Sequence, residues 1–219
     1  MQPDVSSRCA QVLSQGLEAL GLGGISDVQR RKLLGYIGLL DKWNKVYNLT
    51  AVRDPLEMVT RHILDSLALL PYLKGPSVLD IGTGAGLPGI PLAIARPDVD
   101  FTLLDANAKK TRFVRQAAAE LGLANIVVVQ ARVEKYRPGR KFATLIARAV
   151  GSVAEIVRDA RHLCDGKGEF LLMKGAHPEP ELAEMPVEFK VIETVKLHVP
   201  GLEAERHLVR LAPRGDRTP

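Results

Sequence analysis

The stretch S-V-L-D-I-G-T-G-A-G-L-P-G-I-P, residues Ser77 to Pro91, decides the fold of this chain. A mainly apolar run leads into four glycines, at positions 82, 84, 86 and 89. Glycines so placed let the backbone turn sharply off a strand and approach a ligand without a Cβ in the way. A second apolar run, Phe101 to Leu104, ends in Asp105. An acid at the tip of the second strand of a doubly wound sheet holds ribose hydroxyls, so the two features predict a nucleoside cofactor.

Asp80 indicates which nucleoside cofactor this site binds. Residues Gly84 to Gly89 fit the G-x-G-x-x-G pattern of dinucleotide sites, but a single match is weak. A carboxylate beside two phosphates is repelled, which disfavours NAD. A sulfonium cofactor has no phosphate and carries a cationic sulfur and an α-amino group, so an acid at the loop entrance favours it. The pattern D-x-G-x-G-x-G resembles the first motif of S-adenosyl-L-methionine-dependent methyltransferases, and we predict that cofactor. An ordinary glycine-rich turn is the remaining interpretation.

Composition places limits on the class of protein. The chain has 219 residues, 46% of them hydrophobic and 25% charged, which is typical of a soluble globular protein with a substantial core. A net charge of +5 suits a polyanionic partner without requiring one. Cys9 and Cys164 lie far apart and lack metal-ligand spacing, so we expect reduced thiols and no metal site. No signal-peptide or membrane-spanning run is visible, and a cytoplasmic protein is expected.

The chain divides into two parts with different periodicity. Residues 1–74 predict a helical extension packed on the second part of the chain. One helix is capped by Ser26 and Asp27, and another begins at Asp54-Pro55 and stops at Pro71. The first has an apolar and aromatic stripe that is expected to pack against the second part: Leu33, Tyr36, Leu40, Trp43 and Tyr47.

Residues 75–213 predict the cofactor-binding domain, with a disordered tail at 214–219. Strands are expected at 77–81, 100–105, 125–130, 142–147 and 168–174, and helices near 89–96, 108–121, 152–163 and 178–184. This alternation implies right-handed crossovers and a parallel sheet. Two extended runs, Phe189 to Val199 and Arg206 to Leu211, predict a closing hairpin with one antiparallel strand. The fold class is therefore α/β, a Rossmann-like, mostly parallel seven-stranded sheet of the class I methyltransferase type. Dinucleotide-binding domains ordinarily finish parallel.

Seven segments in order along the chain resemble bacterial ribosomal RNA small-subunit methyltransferase G, also called the glucose-inhibited division protein B family. They are K-W-N-K-V-Y-N-L-T (42–50), R-H-I-L-D-S (61–66), D-I-G-T-G-A-G-L-P-G-I-P (80–91), Q-A-R-V-E (130–134), I-A-R-A (146–149), M-K-G (173–175) and G-L-E-A-E-R-H-L (201–208).

The resemblance implies transfer of a methyl group from S-adenosyl-L-methionine to N7 of the guanine at position 527 of 16S rRNA, in the 530 loop. The implied partner is 16S rRNA within the 30S subunit or an assembly intermediate, with no DNA and no membrane, and we expect a monomer. By the family's pattern, the residues that contact the cofactor are Gly82, Leu87, Val133, Glu134 and Arg148. The glycine loop and the second strand add Gly84 and Asp105 as predicted cofactor-binding residues.

The chemistry implied for N7 requires no general base, because that nitrogen has an in-plane lone pair and no proton to lose. The enzyme must align the lone pair with the sulfonium methyl. An [N/D]-P-P-[Y/F] motif for amino-group methylation is absent after the fourth strand, where the chain reads A-R-A-V (147–150). Cytosine C5 methylation needs a thiolate, and Cys164 is expected in a turn at a helix end. We assign no catalytic nucleophile or base.

Several side chains keep alternative interpretations. Arg148 holds the cofactor carboxylate, donates to guanine O6 or pairs with a nearby acid. Glu134 borders the adenine pocket or is solvated. Arg61 and Asp65 form a surface pair at helical spacing, or their helix, with His62, closes a wall of the active site. Asn44 and Asn48 bind RNA or local backbone.

Basic residues cluster in three places and would position a phosphate backbone if they surround the cofactor site. The clusters are Arg30 to Lys32; Lys109, Lys110, Arg112 and Arg115; and Arg137, Arg140 and Lys141. Lys174 is expected at the ligand edge. Alternatives to an RNA methyltransferase are a small-molecule methyltransferase, a non-catalytic ribosome-assembly factor and an NAD-dependent oxidoreductase.

Overall fold

A computed structural model describes residues 4–176 and 178–214. The N-terminal part contains α1 (Val5–Ala19), α2 (Asp27–Tyr47) and α3 (Pro55–Met58). A π-helical segment, Val59–Leu64, then leads into α4 (Asp65–Leu67). Helix α2 begins where predicted because Ser26 and Gln29 form a reciprocal capping box. Asp54 caps α3 as predicted, and Pro71 lies in a 3-10 turn beyond α4.

The sheet is confirmed as seven-stranded and mostly parallel, in the order β3-β2-β1-β4-β5-β7-β6. Its strands are β1 (Ser77–Ile81), β2 (Asp100–Asp105), β3 (Ile126–Gln130), β4 (Phe142–Arg148), β5 (Cys164–Lys174), β6 (Phe189–Lys196) and β7 (His207–Pro213). Strand β7 runs antiparallel to both β5 and β6, so the predicted closing hairpin is present. The remaining helices are α5 (Gly89–Ala95), α6 (Ala108–Glu120), α7 (Val153–Ala160) and α8 (Glu179–Ala183).

One prediction about β5 was wrong. The strand starts at Cys164 rather than at residue 168, so Cys164 is the first residue of a strand and not part of a turn. It pairs with Phe142 at the start of β4 across a register shift, and its side chain is buried. An irregular pairing at the end of a strand lacks the alternation that sequence patterns detect.

The two faces of the sheet bury separate apolar clusters, and the larger one joins the N-terminal helices to α5, α6 and the sheet. Within the aromatic stripe of α2, Tyr36 is fully buried and Trp43 lies 5.6 Å from Phe113 of α6. Packing of the stripe against the second part is thereby confirmed for these residues, whereas Tyr47 is 40% exposed. Because the N-terminal helices and the second part of the chain share one apolar core, the domain boundary between residues 74 and 75 stays a prediction.

Two further predictions concern the ends of the chain and membrane association. Arg214 donates its backbone N–H to the Glu188 carbonyl at 2.7 Å, and the rest of the predicted tail, 215–219, lies outside the described residues. In the part of the chain that the structure describes, no helix combines the length and apolar character needed to cross a membrane.

Candidate cofactor and acceptor site

The glycine loop and Asp105 meet at the carboxyl edge of the sheet, as the sequence predicted. Gly82, Gly84 and Gly86 have φ values of +64°, +60° and +91°, a region that favours glycine. The Gly84 N–H donates to Asp105 Oδ2 at 2.9 Å, and the Asn107 N–H donates to Asp105 Oδ1 at 2.8 Å. Asp105 therefore fixes the loop in place while it remains at the tip of β2.

Asp80 lies beneath the loop, fully buried, rather than at an open entrance. Its Oδ2 accepts hydrogen bonds from Thr83 Oγ1 at 2.6 Å and from the Gly89 N–H at 2.9 Å. Burial raises the pKa of this carboxyl group to about 7. Its Oδ1 is buried without a hydrogen-bond partner among the described residues. Asp80 thus ties both ends of the loop together and keeps one acceptor atom unused.

Gly89 allows α5 to pack directly on the sheet. A Cβ at this position would lie 2.2 Å from Leu103 Cδ2 and 2.6 Å from Asp80 Oδ2. Both distances are shorter than any normal contact, so a larger residue requires the buried side chains of Leu103 and Asp80 to shift. The last glycine of the loop therefore serves helix–sheet packing, the role that this position has in nucleotide-binding folds.

The other predicted cofactor residues lie along the same edge. Leu87 is buried in the loop, 6% exposed. Val133 and Glu134 are in a 3-10 turn, Val133–Lys135, soon after β3, and Glu134 is exposed. Arg148 ends β4. Because β3, β2, β1 and β4 are neighbours in this order, all of these positions follow adjacent strand ends.

A cavity of about 340 Å³ opens beside the end of β4. Arg148 donates from Nη1 to Asp65 Oδ2 at 2.9 Å, so the alternative of a pair with a nearby acid is present in this structure. Of the two alternatives for Arg61 and Asp65, the surface pair is not formed: Arg61 Nη1 lies 3.5 Å from Glu57 Oε2, and the Asp65 side chain is 1% exposed. Asp65 faces the interior, where it is bonded to Arg148, and therefore does not lie beside Arg61 at the surface. The cavity is lined by Val52, Arg61, His62, Asp65, Arg148, Ala149, Met173, Lys174, Gly175 and Arg206.

His62 also lines the cavity, which agrees with the alternative that its helix closes one wall of the active site. It is 6% exposed, and its Nε2 lies 2.9 Å from Thr50 Oγ1. Burial, with a further contribution from the Arg148 charge, lowers the pKa of His62 to about 4. The imidazole is therefore neutral near pH 7, and it does not add a positive charge to the cavity.

Asn44 and Asn48 bond to local groups. Asn44 is buried, donates to the Val52 carbonyl at 3.0 Å and accepts from the Thr50 N–H at 2.9 Å. Asn48 ends α2 in a left-handed conformation and accepts from Arg53 at 2.6 Å. The local-backbone interpretation thus holds for Asn44, which shapes the loop that carries Thr50.

The basic clusters do not converge around one site. Lys32 donates to the Gly122 carbonyl before β3, and Arg140 pairs with Asp100 at the start of β2, so both clusters lie at the amino edge of the sheet. Lys109 and Arg112 are exposed in the first turns of α6, directly after the carboxyl end of β2. Lys174 lines the cavity but bonds to Glu181 at 2.7 Å.

Cys164 and Cys9 are both buried free thiols. Burial raises the pKa of the Cys164 thiol to about 12, so a thiolate nucleophile is disfavoured there. No group of three or more His, Cys, Asp or Glu residues suited to a metal ion occurs within 4–176 and 178–214.

Arg206 also lines the cavity, although the sequence alone did not predict a role for it there. It lies just before β7 and donates from Nε to Asp65 Oδ1 at 2.8 Å, although 141 positions separate the two residues. Its place in the segment G-L-E-A-E-R-H-L was visible, but a partner so distant was not.

Comparison with known proteins gives one consistent result. The family described as GidB, rRNA small subunit methyltransferase G, matches residues 29–209. Proteins named ribosomal RNA small subunit methyltransferase G from Nitrosococcus oceani and Salmonella arizonae are each 52% identical, over 93% and 90% of this chain and 94% and 95% of their own length.

Solved structures share the fold at low sequence identity. The glycopeptide N-methyltransferase MtfA with S-adenosylhomocysteine has a TM-score of 0.59 at 12% identity, covering 69% of this chain and 89% of that one. Magnesium protoporphyrin IX methyltransferase from Synechocystis with bound S-adenosylmethionine has a TM-score of 0.56 at 18% identity, covering 80% and 90%. The fold is that of class I S-adenosylmethionine-dependent methyltransferases.

Proposed function

This chain belongs to the rRNA small subunit methyltransferase G family, and from that premise we propose that it methylates N7 of the guanine at position 527 of 16S rRNA. It is an S-adenosyl-L-methionine-dependent methyltransferase of small-subunit rRNA. The finer elements of the proposal are the atom, the nucleotide and the state of the subunit. They follow from the family resemblance, and the observation that supports an RNA base as the acceptor is the charged cavity at the end of β4, lined by Arg148, which we call the acceptor cavity.

The residues at the carboxyl edge fit the cofactor. When bound, S-adenosyl-L-methionine supplies an electrophilic methyl group on a sulfonium. We assign Gly82, Gly84 and Leu87 to the loop around it, Asp105 to its ribose, and Val133 with Glu134 to its adenine. The unpartnered Oδ1 of Asp80 suits a ligand that carries an ammonium and a sulfonium. No phosphate has to be accommodated beside that carboxyl group.

The acceptor cavity suits N7 chemistry because it supplies alignment rather than proton transfer. Its histidine is neutral with a pKa of about 4, and its only carboxylate among the lining residues, Asp65, is committed to two arginines. Neither is poised as a general base near pH 7, and guanine N7 has no proton to remove. We assign Arg148 either to the cofactor carboxylate or to guanine O6. This atom lies on the edge of guanine that arginine commonly recognises.

Electrostatics favours RNA over a small apolar acceptor. Four of the residues that line the cavity are Arg or Lys, namely Arg61, Arg148, Lys174 and Arg206, against one aspartate. A small-molecule enzyme of this fold would be expected to have an apolar, covered cavity without a basic rim. The exposed Lys109 and Arg112 extend positive charge along the same edge and would contact phosphates without reading sequence. We propose that a monomer acts on the 30S subunit or an assembly intermediate, and not on DNA.

The direct test supplies labelled S-adenosylmethionine with 16S rRNA or with 30S subunits from cells lacking the gene. The product is treated with borohydride and aniline, which cleaves at N7-methylguanosine, and is mapped by primer extension. A single new stop in the 530 loop supports the proposal. Label without aniline cleavage refutes N7 as the acceptor, and no label on either substrate favours a small-molecule acceptor. The Gly84→Val variant, in which a branched side chain meets a left-handed φ, is the inactive control.

A further inference from the structure

Asp65 joins two arginines that come from distant parts of the chain. Its Oδ2 accepts from Arg148 Nη1 at 2.9 Å, and its Oδ1 accepts from Arg206 Nε at 2.8 Å. The Asp65 side chain is 1% exposed, whereas those of Arg148 and Arg206 are 18% and 21% exposed. A buried carboxylate is costly unless it is paired, and here both of its oxygens are used. All three residues line the acceptor cavity.

Both arginines keep unused donors after they bond to Asp65. Arg148 Nη1 also reaches the Arg61 carbonyl at 3.2 Å, and Arg206 Nη1 donates to the Glu205 carbonyl at 2.8 Å. Over 4–176 and 178–214, Nε and Nη2 of Arg148 and Nη2 of Arg206 have no protein acceptor in hydrogen-bond geometry. A guanidinium is planar and rigid, so fixing one edge of it also fixes the direction of the remaining N–H groups.

We propose that Asp65 is a positioning residue of the acceptor cavity, holding Arg148 and Arg206 as a pair whose free N–H groups bind the O6 edge of the target guanine. This inference rests on the proposed function. Guanine O6 and N7 are acceptors on one edge of the base. Arginine donors that bond O6 alone, rather than O6 and N7 together, leave the N7 lone pair free for the methyl group.

The same arrangement discriminates against adenine. Adenine carries an amino donor where guanine has O6, so the arginine donors would face a donor there. Asp65 also limits the positive charge of the wall, because two guanidinium groups with one carboxylate carry a net charge of about +1. Methyl transfer brings a positive charge onto the base, and a wall without Asp65 would repel it more strongly.

The test compares Asp65→Asn with Asp98→Asn. The asparagine at position 65 keeps the size of the side chain but offers an amide donor to one of the two arginines. Asp98 also bonds to one arginine through both oxygens, Arg96 at 2.9 and 2.8 Å, but on the surface. For Asp65→Asn we expect kcat on 30S subunits to fall about a hundredfold, with the Kd for S-adenosylhomocysteine within about threefold of wild type. Asp98→Asn is expected to stay within about twofold in both.

A merely structural role of Asp65 predicts different changes in kcat and in the Kd for S-adenosylhomocysteine. If Asp65 acts through the arginines, Asp65→Asn should cost less than about threefold in the Arg148→Gln/Arg206→Gln background. Full additivity, wild-type kcat in Asp65→Asn, or a matching loss of S-adenosylhomocysteine binding would overturn the inference. Should Asp65→Asn fold poorly, Arg206→Gln is expected to lower kcat at least about tenfold with cofactor binding intact, and an unchanged kcat would overturn it.

The wild-type product separates this inference from the proposed function. If wild-type enzyme gives no aniline-sensitive site, the proposed function fails whatever Asp65 does. If wild type methylates N7 and Asp65→Asn does so equally fast, only the positioning role is refuted.

Discussion

The Tyr36 hydroxyl donates a hydrogen bond to the Ala85 carbonyl at 2.7 Å, which connects an N-terminal helix to the glycine loop. Tyr36 is fully buried and lies 6.3 Å from the ring of Phe113 on α6. The glycines on either side of Ala85 adopt positive φ, so the loop backbone depends on such bonds for its shape. Helix α2 therefore supports the glycine loop directly.

Removal of this hydroxyl should weaken both stability and cofactor binding. Tyr36→Phe leaves a buried carbonyl without a partner, and we expect the free energy of unfolding to fall by about 1–2 kcal/mol. The Kd for S-adenosylhomocysteine, measured by calorimetry, should rise several-fold because the loop loses one restraint. Tyr47→Phe, at an exposed position of the same helix, is the control and should change neither. Unchanged binding in Tyr36→Phe would show that the loop holds its shape without α2.

Gly89→Ala tests the close packing of α5 on the sheet. A methyl group there would overlap Leu103 Cδ2 and Asp80 Oδ2, so we expect a loss of about 1–3 kcal/mol and a clear loss of cofactor affinity. Gly139→Ala is the matched control, because a Cβ at Gly139 meets nothing within 4 Å. Denaturant unfolding with cofactor titration measures both. Equal stability of the two variants would contradict the packing argument.

The pKa of Asp80 predicts a specific pH dependence of the protein without cofactor. Burial raises this pKa from 3.8 to about 7, so the folded state binds more protons than the unfolded state between those values. The contribution of Asp80 to stability is therefore full below pH 4 and falls as pH rises to 7, by at most about 1.4 kcal/mol per pH unit. Asp80→Asn should lack this slope in unfolding measurements at pH 4.5 and 6.5. Parallel curves for the two proteins would refute the raised pKa.

Asp80 also predicts how cofactor binding varies with pH. If the ionised carboxylate receives the cationic cofactor, the affinity for S-adenosylmethionine should increase roughly tenfold from pH 6 to pH 8, because Asp80 is mostly protonated at pH 6 and already ionised at pH 8. Calorimetry in buffers of different ionisation enthalpy should detect proton release at pH 6.5. Asp80→Asn should bind weakly, with an affinity that is flat across this range. A flat wild-type profile would remove Asp80 from the binding equilibrium.

Arg148→Ala should lose activity far beyond its effect on folding. The cavity loses its strand-end guanidinium, and Asp65 keeps only Arg206 as a partner. We expect methyl transfer to 30S subunits to fall at least about a hundredfold, with the protein still folded by circular dichroism. Arg96→Ala removes an arginine–aspartate pair on the surface and should remain active. Near-normal turnover of Arg148→Ala would reduce its role to the ion pair.

The positions of the basic clusters predict which of them contacts RNA. Lys109→Glu/Arg112→Glu should raise KM for 30S subunits at least about tenfold and reduce the salt dependence of activity, because these side chains are exposed at the carboxyl edge of the sheet. Arg140→Glu/Lys141→Glu changes charge equally at the amino edge and should have little effect on KM. KM values measured at two salt concentrations test this, and the reverse ranking would relocate the RNA surface.

Local sequence was sufficient for most of the secondary structure. The predicted strand at 77–81, the cap at Ser26 and the closing hairpin agree with the structure because each depends on neighbouring residues: an apolar run, a capping box, or two extended runs around a turn. The interaction of the glycine loop with Asp105 was also predictable, because the carboxyl ends of parallel neighbours must meet. Family resemblance added the expected substrate and the residues Leu87, Val133 and Glu134.

The sequence by itself determined the sheet, the carboxyl edge at which the glycine loop meets Asp105, and the motifs that identify the family. Only the tertiary structure decided where individual charges lie. In the folded chain, Asp80 is buried under the glycine loop, and Asp65 pairs with Arg148 and Arg206 instead of Arg61. Two of the basic clusters lie at the amino edge of the sheet, away from the glycine loop. The physical reason is that hydrophobic periodicity and capping act over a few residues, whereas a buried carboxylate is satisfied by whichever donors the packed chain brings to it, here across 83 and 141 positions.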